Sequence, residues 1–146
     1  MSYYIYIGAG GGNFDPVRFN ESLGDELKGT VRIRDEYKYS PERKGVIRTG
    51  KIEKVWRSKI FKGDYDEPIT ILHNLLLEYK TAVLTIKDIP NIIIYAEFVV
   101  TYESWEKFRG FCFEHDTIQL IADIGAGLDM DLYCNFGEPE ERSGDS

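Results

Sequence analysis

The residues best suited to chemistry lie near the C-terminus, where Asp129-Met130-Asp131 sets two carboxylates at i and i+2. In a strand that spacing puts both on one side, where a pair of acids can hold Mg²⁺ or Ca²⁺ or share a proton. Asp123 is near in sequence, but no histidine or third ligand accompanies the pair, so no metal site is assigned. Cys112 and His115 have the residue types of an imidazole-activated thiol. Residues three apart in a strand face opposite sides, however, and His73 has no metal-ligand companion at i+4. Gly8-Ala9-Gly10 precedes a helix as a dinucleotide-binding turn would, yet the third glycine position holds Asn13, and Asp15 sets an anion where phosphate would sit. No catalytic set assembles, and no cofactor is implied.

Charge is the next signal. The chain has 146 residues and a net charge of −7, but residues 28–62 carry +8 and residues 63–146 carry −12. The basic run includes Tyr37, Tyr39, Trp56 and Phe61, a composition that invites RNA stacking. Two features disfavour nucleic acid: no RNP1 pattern is present, and the acidic remainder repels a phosphate backbone. No 18-residue apolar stretch exists, since the run around Ile92–Val100 is interrupted by Glu97. The N-terminus lacks a basic, cleavable leader, and two cysteines are too few for a disulfide framework. A cytoplasmic globular protein with reduced thiols is expected.

The elements that must position these residues follow from periodicity. Tyr3–Ile7 reads as a strand broken by Gly8–Gly12. Asp15, Pro16 and Gly24 predict the N-cap, first turn and end of a short helix, with Phe14 and Phe19 as a hydrophobic staple. Thr30–Asp35 and Gly50–Phe61 alternate as a hairpin around a polar loop at Glu36–Thr49. Pro68 starts a long helix to about Asp88, whose stripe is Ile69, Leu72, Leu76, Tyr79, Val83 and Ile86. Strands are predicted at Asn91–Tyr102, Gly110–Glu114 and Leu128–Cys134, with a helix from Asp116 or Thr117 to Gly125. Residues 1–136 then form a single α+β domain, and residues 137–146 an acidic, frayed tail. The expected fold is a mostly antiparallel sheet with helices on one face, a ferredoxin-like β-α-β-β-α-β core extended by β-α-β.

With helices on one face, period 2 assigns the other. If Ile5, Ile33, Trp56, Phe98 and Met130 point inward, the open face presents Tyr4, Tyr6, Arg32, Arg34, Arg57, Lys59, Tyr95, Glu97, Asp129, Asp131 and Tyr133. Cross-strand ion pairing explains such a face in structural terms. Its tyrosines and arginines also suit a partner-binding platform.

Together, Tyr4-Ile5-Tyr6, Asn13-Phe14-Asp15-Pro16, Leu23-Gly24, Trp56, Leu75-Leu76-Leu77 and the ending Ile121-Ala122-Asp123-Ile124-Gly125-Ala126-Gly127-Leu128-Asp129-Met130-Asp131-Leu132-Tyr133 resemble the bacterial family called domain of unknown function 4279. The resemblance spans about residues 3–134. It departs at the glycines before Asn13 and at Asp25–Lys28. It implies a small cytoplasmic α+β protein with no assigned activity, of the kind that often resembles immunity proteins. The expected function is therefore non-catalytic binding: an immunity protein that covers a basic toxin domain. The alternative is a small-ligand or nucleotide-binding protein or enzyme using the glycine loop and the open face. The oligomeric state is left open.

Overall fold

A computed structural model describes residues 1–64, 67–104 and 110–134. Nine elements follow one another: β1 (Ser2–Gly10), α1 (Pro16–Ser22), β2 (Thr30–Ser40), β3 (Gly45–Arg57), β4 (Phe61–Gly63), α2 (Pro68–Leu84), β5 (Ile93–Tyr102), α3 (His115–Asp123) and β6 (Ala126–Cys134). The strands form one sheet in the order β2-β3-β1-β5-β6, with β4 also paired to β1. All pairings are antiparallel except β5 with β6, which α3 connects as a parallel pair. This is the α+β class expected from the sequence.

Each of the three helices buries one apolar side in the core on one face of the sheet: Phe19 of α1, Leu72, Leu76 and Tyr79 of α2, and Leu120 of α3. The core joins Tyr3, Ile5, Ile7 and Ala9 of β1 to Ile94, Ala96, Phe98 and Val100 of β5, beneath Leu72, Leu75, Leu76, Tyr79 and Val83 of α2. Trp56 is its centre, fully buried and edge-on to Phe19 at 4.9 Å and to Tyr79 at 5.7 Å. Its indole N–H donates to Asn20 Oδ1, which also accepts from the Gly29 amide. One amide side chain thus ties α1 to β3 and to the entry of β2, satisfying two donors that burial would otherwise leave orphaned.

The helix starts obey local chemistry. Asp15 caps α1 by accepting from the Arg18 amide, Pro16 occupies the first turn, and Phe14 packs on Phe19. The long helix starts at Pro68 as predicted but ends at Leu84, with hydrogen-bonded turns carrying the chain on to Ile92.

Several expectations need correction. Glycine does not end β1 at Ile7; the strand continues through Gly10. Residues 36–49 are not a loop: β2 runs to Ser40 and β3 begins at Gly45, so Pro41–Lys44 is the turn of a long hairpin arm, with a register shift between Asp35 and Tyr37. The polar composition misled because this half of the arm carries little burial, and without burial alternation has no hydrophobic signature. Ile33 shares the helix-side parity with Trp56 but is 68% exposed, because it lies on that arm. Gly110–Glu114 is not a strand; Phe111 and Phe113 pack on the core from irregular backbone. The fourth strand after the hairpin is instead the short β4. The β-α-β extension therefore reduces to α3 and β6, and a three-residue strand is inserted before α2. The tail at 137–146 lies outside the described residues.

Candidate functional site

The face opposite the helices is uncovered by any helix among the described residues, and it is built by register. Gly8 of β1 lies between Arg57 of β3 and Tyr95 of β5. One step along β1 on the same face, Tyr6 pairs with Glu97, which pairs with Asp129 of β6. One step further, Tyr4 pairs with Val99, which pairs with Asp131. Arg32 lies opposite Val55 and Arg34 opposite Glu53. Tyr133 continues the β6 row, opposite Thr101 and 57% exposed. The structure thus brings Tyr4, Tyr6, Arg32, Arg34, Arg57, Tyr95, Glu97, Asp129, Asp131 and Tyr133 onto one surface. Lys59 is the exception: it reaches Glu78 of α2 at 2.7 Å and the Glu26 carbonyl, on the helix side.

The surface is electrically divided. On the β2–β3 side a hollow of about 300 Å³ is lined by Tyr6, Arg32, Arg34, Val55, Arg57 and Tyr95. The Arg57 guanidinium sits 4.9 Å from the Tyr6 ring centroid, a cation–π contact. Gly8 makes room here: a Cβ would collide with the Tyr95 ring, which lies against the bare strand backbone. Arg34 pairs with Glu53 at 2.9 Å. Burial, the largest cause, raises the Tyr95 hydroxyl pKa; Arg34 and Arg57 oppose the rise, and Glu97 and Asp129 add to it. Tyr95 therefore stands at the boundary between the two charge fields.

On the β5–β6 side, carboxylate oxygens of Glu97, Asp129 and Asp131 lie within 4.8 Å of one another. Glu97 is only 6% exposed. Burial, and then hydrogen bonding and repulsion from Asp131 and Asp129, push its pKa up to about 8. The protonated Glu97 carboxyl is thereby favoured well above the usual carboxylate range. These three carboxylates are the described residues suited to a hard divalent cation. The pair Asp129/Asp131 was legible in the sequence, but its third member was not. Glu97 comes from a strand some thirty residues earlier, and its one signal is being the sole charge in an apolar run.

The other candidates disperse. Gly11 and Gly12 adopt positive φ and pack against the Pro90–Asn91 backbone, so the glycine run serves a close approach of two turns. The α1 N-terminus, where an anion would bind, is occupied by the Asp15 carboxylate. His73 Nδ1 lies 2.9 Å from the hydroxyl of buried Thr117, which fixes α2 to α3. His115 is exposed at the start of α3, and Cys112 and Cys134 are both free and exposed. No helix among the described residues is long and apolar enough to cross a membrane.

Comparison with known proteins adds no relative. No family model matches the chain. No curated protein matches it, and no solved structure does.

Proposed function

We propose that this chain is a non-catalytic binding protein that recognises a partner protein through the open face of its sheet. The observation that carries the reading is the gathering of four tyrosines, three arginines and three carboxylates from five strands onto one uncovered surface. Tyrosine and arginine supply large contact area and directional hydrogen bonds, the chemistry of interface hot spots. The partner is a basic domain. Edge strand β6 exposes Asp129 and Tyr133, and the chain from residue 63 onward carries −12. Opposed charge speeds encounter and fixes orientation.

A toxin-neutralising immunity role in the bacterial cytoplasm, in keeping with the resemblance to domain of unknown function 4279, is the specific form of this reading. The test is co-purification of the full chain with the product of the adjacent upstream gene. A complex that forms at low salt and weakens as salt rises supports the proposal. Absence of any complex or inhibition at low salt refutes it.

The glycine-loop alternative has less to support it, because Asp15 already caps the helix a nucleotide phosphate would need.

A further inference from the structure

We infer that the hollow between β1, β2, β3 and β5 is a binding site for a small oxyanion, a phosphate or carboxylate carried on a flat apolar body. The inference goes beyond the partner-protein reading and does not rest on it.

Three observations point to the ligand. First, the hollow of about 300 Å³ is bordered by three arginines, and no carboxylate lines it. Arg34 is paired with Glu53, but Arg32 has no ion-pair partner among the described residues. Second, Arg57 Nε is buried and finds no hydrogen-bond partner. A buried guanidinium N–H left unpaired costs free energy, and an oxyanion drawn to the guanidinium, with a small side-chain shift that opens Nε to it, supplies the missing acceptor. Third, the rest of the lining is apolar or aromatic. Val55 is 5% exposed, and the Tyr6 and Tyr95 rings stand at 75° to each other with centroids 6.3 Å apart. Burial holds both tyrosine hydroxyls protonated well beyond neutral pH, so they are neutral hydrogen-bond donors. The ligand's anionic end meets the arginines and its flat body meets the rings and Val55.

The carboxylate group beyond Tyr95 limits the ligand on the other side. Glu97, Asp129 and Asp131 repel a second anionic end, so a compact monoanion or phosphate monoester fits and a long polyanion does not. That limit also separates this site from a nucleic-acid surface.

Isothermal titration of the full chain with phenyl phosphate, benzoate and inorganic phosphate tests the proposal. Phenyl phosphate or benzoate is expected to bind saturably at one site per chain and more tightly than inorganic phosphate; which of the two is tighter tells whether the oxyanion is phosphate or carboxylate. Arg57→Met is expected to weaken binding by about 10-fold or more. Arg32→Met, at an exposed strand position, keeps the test valid if Arg57→Met does not fold. Arg43→Met, in the hairpin turn away from the hollow, is expected to leave binding unchanged. The proposal is overturned if no probe binds saturably at millimolar concentration, or if Arg43→Met weakens binding as much as the site variants. Binding only when Mg²⁺ is added also overturns it, since the carboxylates would then be the primary site. Failure here leaves the partner-protein complex to be measured on its own, and the reverse holds too.

Discussion

Glu97 is the residue whose chemistry most departs from its sequence appearance. It reads as an interruption of an apolar strand, yet it is buried, and two aspartates from β6 crowd its carboxyl. Its pKa is about 8 in the fold against an ordinary carboxylate value in the unfolded chain. The folded state therefore binds the proton more tightly. That contribution to stability is full below the unfolded pKa and disappears as pH rises through about 8. Glu97→Gln, which keeps shape and removes the ionisation, is expected to match the wild-type melting temperature near pH 5. Near pH 9 it should melt several degrees higher. Thermal denaturation across that range checks it, and a pH-independent difference would show that Glu97 is not held protonated in the fold. Asp129 and Asp131 were visible in the sequence as a pair because period 2 is intrinsic to a strand. Glu97 was not visible as their partner, because cross-strand register is a tertiary property that no local spacing encodes.

At the scale of elements, the sequence was most legible where local chemistry and burial agree. α1 is the clearest case: Asp15, Pro16 and the Phe14–Phe19 contact stand where capping rules place them. Asp15→Ala is expected to destabilise the fold by about 1 kcal/mol, measured by denaturant unfolding. A loss below a few tenths would show that the cap hydrogen bond is idle. The sequence was least legible in the hairpin arm. Half of Tyr37, Tyr39, Val46 and Ile52 or more is exposed to solvent, so the pattern that marks a half-buried strand is missing, and the charged, Pro-containing stretch reads as a loop. β1 shows the opposite error. Gly8 and Gly10 read as breakers, whereas Tyr95 and Val55 fill the space their missing side chains leave.

For the whole molecule, a net charge of −7 conceals a division that the fold makes spatial. β2 and β3 carry the arginines, β5 and β6 carry the carboxylates, and Tyr6 and Tyr95 stand between them. Part of the basic segment is neutralised within its own arm, by the pairs Arg34–Glu53, Arg48–Asp35 and Lys38–Glu36, and Lys59 is tied to α2. Exposed pairs of this kind contribute little stability, about 0–1 kcal/mol each. Glu97, Asp129 and Asp131 have no ion-pair partner among the described residues, which is the ground for proposing a basic partner.

The uncovered face of the sheet, and not the helical side, is the proposed binding surface. The most direct measurement compares complex formation with the upstream gene product for wild type, Asp129→Lys/Asp131→Lys, and Asp116→Lys on exposed α3. The strand variant is expected to weaken the complex by about 10-fold or more while the helix variant binds as wild type. A complex that survives the β6 reversal and is lost on the α3 reversal would contradict it.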